Sequence, residues 1–294
     1  MNKRLKLICC DVLFRMACRA AARSKNIIDM EFTRLQSHNE PDKLRAQIQG
    51  LIDGTDGDAG YDAVLLGYGL CGNSTAGLAA RGLPLVIPRA HDCCTLFLGS
   101  RENFIRHFGE RLSSQWSSHG YLERNKSYTG GAEAGKGGDS SVLGMLGVSS
   151  EYAELVEQYG EDNAAYLWET LHPAHAIGKD ERIYIDVAPF DNPEDGDFHF
   201  KRFEQAVMAE LNQPPHETGS AAETRATGPE SAKQCVGAPV IQRVEGSARL
   251  IDKLLDGDWD GDFLIAPPGA SIAAVYDMEQ ILTSAPSGGA SITR

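Results

Sequence analysis

The sequence predicts an α/β protein built as two Rossmann-like lobes, with mainly parallel sheets and helical crossovers. Short apolar runs alternate with amphipathic helical stretches, the pattern of parallel strands joined by crossover helices. A glycine-rich stretch, GYGLCGNST at residues 67–75, follows one apolar run the way a strand leads into a turn and a short helix. The strand and helix signals then recur in the second half, which implies a second lobe of the same kind.

Taken in order, residues 5–11 are an apolar run that reads as a first strand, and 12–22 contain good helix formers. The basic start and apolar run resemble a cleaved signal, but the run is short and contains Asp11, so strand then helix is the better reading. Residues 27–35 read as a second strand. At 41–53, Leu44, Ile48, Leu51 and Ile52 recur at helical spacing behind a Pro-Asp start. Strands at 61–67 and 83–88 flank the glycine-rich turn. A helix at 95–112 is interrupted near Gly99 and Ser100, and closes an N-terminal lobe at 1–112. Residues 113–149 are rich in Ser, Gly and Lys and read as a flexible insertion or lid. The C-terminal lobe, 150–276, comprises a helix at 150–172, a strand at 182–188, a helix at 198–211, a strand at 238–244, a helix at 246–255 and a strand at 262–266. Within it, 213–234 has almost no large apolar residue and reads as a disordered loop. Residues 277–294 read as a frayed tail.

Composition excludes several function classes. With 28 Lys and Arg against 41 Asp and Glu, the net charge is -13. The basic residues are scattered, which argues against nucleic acid and against an anionic membrane surface. No apolar run approaches the roughly 20 residues that span a bilayer. Seven cysteines, an odd number with two adjacent pairs, fit reduced thiols in a cytoplasmic protein better than a disulfide framework.

The cysteines carry the functional signal. Cys9 and Cys10 end the first strand, Cys71 follows the third, and His91, Cys93 and Cys94 follow the fourth. Ligands of open α/β sheets bind at that edge of the strands, so residues 60 and 80 positions apart are expected to converge there. Three thiolates with an imidazole suit zinc or an iron–sulfur cluster. None of the spacings is CxxC, and free cysteine packs as a small hydrophobe, so packing is the alternative from spacing alone. Gly69, Gly72, Asn73, Ser74 and Thr75 belong to a turn whose amides and side chains suit a small anion, or simply cap a helix. The turn matches neither the dinucleotide nor the phosphate-loop pattern. Arg89 and His91 sit where a cation would lower a thiol pKa or bind a carboxylate. The acidic stretches at 191–197 and 256–262 lack calcium-loop spacing and read as acidic turns. The His172 and His175 pair reads as solvent-facing or packing.

The segment GYGLCGNSTAGLAARGLPLVIPRAHDCCTLFLGSRENF, together with YGEDNAAYL and GDWDGDFLIAPPG, resembles domain-of-unknown-function family 1638. Carried over residue by residue, the resemblance implies a three-cysteine site of Cys10, Cys71 and Cys93, with Cys9 and Cys94 as extras. Here Ser74 stands where the family commonly has glycine, and the Tyr121 region follows the family's Gly-Trp-Leu-Glu form loosely. Some members resemble neighbours of corrinoid-dependent methyl-transfer systems, which implies such a protein as partner by association rather than mechanism. Three expectations follow. One is a metal (zinc or iron–sulfur) site at Cys10, Cys71 and Cys93 that binds a small anionic or thiol substrate, in one-carbon or sulfur metabolism, as a metal-dependent transferase or lyase. Another is a metal-free enzyme with Cys71 as nucleophile, activated by the helix N-terminus and paired with His91 as base. The last is a non-catalytic accessory protein that retains a cofactor in the same cleft.

Overall fold

The computed structural model describes residues 2–34, 41–55, 59–109, 114–124, 181–187, 193–211, 240–275 and 280–286. The expected helix at 150–172 and loop at 213–234 lie outside the described residues, as does the expected insertion beyond residue 124.

The chain starts as strand β1 (Arg4–Cys10), a single 3-10 turn (Asp11–Leu13), helix α1 (Phe14–Arg23) and strand β2 (Ile27–Thr33). Helix α2 (Pro41–Asp53) buries Leu44, Ile48 and Ile52, the stripe its spacing predicts, and leads into β3 (Ala63–Gly67) and β4 (Leu85–Pro88). Every residue of β3 and β4 is buried. Strands covered on both faces read as continuous apolar runs rather than alternating ones, which is why these two stand out in the sequence. Helices α3 (Cys93–Leu98) and α4 (Arg101–Phe108) divide at Gly99 and Ser100, where the Ser100 hydroxyl accepts from the Asn103 amide at 3.0 Å.

β1, β2, β3 and β4 are parallel, and the larger sheet has the order β2-β1-β3-β4, with a later strand on the far edge of β4. The chain leaves β1 toward β2 on one side and returns past it to β3 on the other. The order therefore reverses between β1 and β3, and a crevice opens there at the C-terminal strand tips.

The second half departs from the expected second lobe. Residues 115–124, expected to open a flexible insertion, form strand β5 (Gln115–Ser118) and helix α5 (His119–Arg124). Trp116, Tyr121 and Leu122 are almost wholly buried, and these large side chains hold the segment down despite its Ser-rich composition. β5 pairs in parallel with β6 (Glu181–Asp186), and β6 with β7 (Val240–Glu245), to give a three-stranded sheet. Helix α6 (Pro193–Leu211) covers one face of that sheet with a small cluster of Leu122, Tyr184, Phe203 and Val207. It starts five residues earlier than expected and takes in most of the acidic stretch at 191–197, since proline suits a first helical position.

Helix α7 (Arg249–Asp256) and strand β8 (Phe263–Ala266) then return to the first sheet. α7 packs on α1, β3 and β4, and β8 runs antiparallel along the free edge of β4. A hairpin of β9 (Ala270–Ala274) and β10 (Leu282–Pro286) follows, so part of the expected tail is a strand. Trp116, Ile183, Ile185 and Val187 of the smaller sheet share one continuous core with Leu7, Leu65, Val86 and Leu254. The protein is thus α/β with mainly parallel sheets, and its C-terminal elements are divided between both sheets instead of forming a lobe of their own. The physical reason is the open edge of β4, which β8 covers. Among the described residues no helix is long and apolar enough to cross a membrane.

Candidate functional site

The crevice between the tips of β1 and β3 holds thiols. Cys10 is the last residue of β1 and is fully buried. Its neighbour Cys9 faces the opposite side of the strand, as alternation requires, and its thiol donates to the Cys10 carbonyl at 3.4 Å. Beyond β3, the backbone zips onto the segment that follows β4: the Leu70 amide donates to the Ala90 carbonyl and the Cys71 amide to the His91 carbonyl, both at 2.8 Å. Gly69 permits the approach, since a Cβ there would lie 2.7 Å from both the Ala90 carbonyl oxygen and the Asp92 nitrogen.

Cys71, Gly72 and Asn73 then follow one another in the left-handed region, with φ of 48°, 60° and 67°. Glycine and asparagine tolerate this conformation, whereas at cysteine it costs on the order of 1 kcal/mol. The turn is held by its own side chains. The Ser74 hydroxyl donates to the Cys71 carbonyl at 2.8 Å, the Thr75 hydroxyl to the Gly69 carbonyl at 3.0 Å, and Arg45 to the Asn73 carbonyl at 2.8 Å. Residues 71–77 are turn throughout, and the short helix expected after Cys71 is not formed. Successive left-handed residues cannot start a right-handed helix.

Past β4, the Asp92 carboxylate caps α3 by accepting from the Thr95 amide at 3.3 Å, which fixes Cys93 at the first helical position. There the Cys93 thiol is hydrogen-bonded with the thiols of both Cys10 and Cys71. Three residues from three strand tips thus meet, at 0%, 6% and 1% exposure for Cys10, Cys71 and Cys93, and Cys71 is the most accessible. The Cys93 thiol is pushed well above the usual range, first by these two hydrogen bonds and then by burial; the effects acting on it all have the same sign. Tyr121 of α5 feels the same three cysteines, and after burial Cys93 is the largest influence that raises its hydroxyl. Tyr68 is also close to Cys10 and Cys71, and its hydroxyl is bonded to Thr33. Cys94 is buried and its thiol is raised first by burial, then by Asp92.

The remaining sequence-predicted residues lie around this cluster in different ways. His91 is half-buried, with its ring 6.1 Å from that of Phe104. Arg89 donates to the carbonyls of Gln280 and Leu282 and so ties the hairpin to the sheet. Among the described residues, no group of three or more His, Cys, Asp or Glu side chains is arranged as a ready metal shell. Cys93 is the thiol that bonds to both of the others.

Sequence reasoning missed the buried polar residues of β5 and α5. Ser117, Ser118 and His119 are each at most 1% exposed, and their hydroxyls and both imidazole nitrogens have no hydrogen-bond partner among the described residues. The signal was the run of Trp116, Tyr121 and Leu122 around them, too apolar for an insertion.

Residues 32–193 match the family model described as "Protein of unknown function (DUF1638)". The chain belongs to this family. No curated protein and no solved structure matches it. The family match takes in Cys71, Cys93 and Tyr121 but begins after Cys10 and ends before α7 and β8.

Proposed function

We propose that Cys10, Cys71 and Cys93 bind a soft or borderline metal, zinc or an iron–sulfur cluster, and that the protein uses it to handle a small anionic or thiol-bearing substrate. The observation that carries this reading is the meeting of three sequence-distant thiols at the point where the strand order reverses. The donor set fits the group. Sulfur ligands select zinc and iron–sulfur centres, and three protein donors are the count of a reactive rather than a structural zinc. The raised Cys93 thiol also fits, because a buried thiol cluster with no compensating charge is stabilised by a cation that keeps it deprotonated.

When bound, the metal supplies Lewis acidity and holds a coordinated thiol as thiolate. The protein's own groups do the rest. The backbone zip between residues 70–71 and 90–91 fixes the spacing of Cys71 and Cys93. Tyr121, buried beside the thiols, helps wall the cluster off from water. Cys71, on its strained turn, is the member a substrate reaches first. On this reading the protein is a cytoplasmic transferase or lyase of one-carbon or sulfur metabolism that works beside a corrinoid methyl-transfer protein. The metal-free alternative asked for a helix N-terminus to activate Cys71, and residues 71–77 are turn.

The test is elemental analysis with an ultraviolet–visible spectrum of protein purified without oxygen, as wild type and as Cys71→Ser. Either about one equivalent of zinc, or several of iron with a visible charge-transfer band, is expected in the wild type and lost in the variant. Metal-free wild type with all three thiols open to titration would sink the proposal.

A further inference from the structure

A second cluster lies on the other side of α5, away from the thiols. His119 opens the helix and Glu123 follows one turn later, so the two share a face. His199 of α6 meets them from across. Its ring centroid is 6.0 Å from that of His119, and its Nε2 is 3.7 Å from a Glu123 carboxylate oxygen. His119 is 1% exposed, and neither of its nitrogens has a hydrogen-bond partner among the described residues. Burying a polar ring in this way is costly unless something binds it. The hydroxyls of Ser117 and Tyr184, which sit opposite one another on β5 and β6, are also buried without a partner among the described residues. Such a concentration on one sheet edge calls for a ligand.

We propose that His119, His199 and Glu123 bind a borderline divalent transition-metal ion of the zinc class, and that Arg15 occupies the cation position on Glu123 when that ion is not there. Two imidazoles and a carboxylate are a ligand set for such ions. Burial holds the His119 imidazole neutral, with a pKa of about 4, and the neutral ring is the form that ligates. Arg15 already supplies Glu123 with a positive partner, at 2.6 Å. Its side chain is 40% exposed, so releasing it to solvent costs little. The three side chains do not yet form a shell, and rotation of Glu123 away from Arg15 is the movement that closes one. This site shares no ligand with the thiol cluster, so the two proposals fail separately.

The experiment is titration of the full-length protein with Co²⁺ and Zn²⁺, followed by cobalt absorption and calorimetry, in a background with Cys10, Cys71 and Cys93 all changed to Ser. One equivalent of cobalt is expected to bind without a sulfur-to-cobalt charge-transfer band. His119→Gln and His199→Gln are each expected to weaken binding roughly tenfold or more, while Arg15→Gln strengthens it. Binding that ignores His119→Gln, or no binding at all, overturns the proposal. Should the triple-serine chain fail to fold, the comparison is made on wild type. There, His119→Gln must remove one equivalent of cobalt and leave any charge-transfer band intact; an unchanged total overturns the site.

Discussion

Cys71 combines a reactive side chain with a backbone that resists it. Its φ of 48° is one that glycine adopts freely, and strain of this kind persists where surrounding structure over-determines it, often at a working site. Replacement by alanine removes the thiol and keeps the strain, whereas replacement by glycine removes both. Chemical denaturation should therefore find Cys71→Gly more stable than Cys71→Ala by about 1 kcal/mol, although glycine ordinarily destabilises. Equal stabilities, or alanine the more stable, would show that the left-handed turn carries no strain. Neither variant should hold the proposed metal. At this scale the sequence was partly legible. That Cys10, Cys71 and Cys93 fall at or just beyond strand ends was readable from the apolar runs. The choice of these three over Cys9 and Cys94 came from family resemblance, because strand alternation alone does not say which face of β1 is the crevice.

Helix α5 decides how close the smaller sheet comes to the thiols. It docks on the turn after β1 at Gly120, where a Cβ would stand 1.9 Å from the Val12 carbonyl oxygen. That oxygen belongs to backbone and cannot swing aside. Gly120→Ala should cost about 1–3 kcal/mol by overpacking and push Tyr121 off the thiol cluster. Faster modification of Cys93 by a thiol reagent, with a lower midpoint in denaturant, is the expected result; unchanged values for both would mean that α5 is free to shift. Elements differed in how openly they declared themselves. β3 and β4 are buried on both faces and read as unbroken apolar runs, and α2 showed its stripe of Leu44, Ile48 and Ile52. β5 did not, because two of its four residues are serines whose burial is imposed by neighbours rather than by their own polarity. The left-handed turn at 71–73 was hidden for a similar reason: its glycine and asparagine suit a helix cap equally well.

The molecule as a whole is held together by its late elements. Leu250, Ile251, Leu254 and Leu255 of α7 are each at most 2% exposed against the first sheet. Burial of four such side chains contributes roughly 6–12 kcal/mol, which is comparable with the whole stability of a typical domain, about 5–15 kcal/mol. A chain ended after Glu245 should therefore fail to fold, and far-ultraviolet circular dichroism with gel filtration would show it unfolded or associated. A folded monomer from that truncation would mean that the elements up to β7 hold together without α7 and β8. Local patterns gave the strand at 263–266 correctly, but not its destination, since pairing antiparallel with β4 is decided by which edge stands open and not by the strand's own residues.

The late arrival of β8 has a consequence during synthesis. Between Pro88 and Phe263 the ribosome adds ~175 residues, which at about 5–20 residues per second takes roughly 9–35 s. Through that interval β4 offers an unpaired edge to any strand nearby. Chains growing side by side on one message are then the ones able to exchange β8, so crowded translation, more than heat or denaturant, is the condition under which this protein would tangle with its own copies.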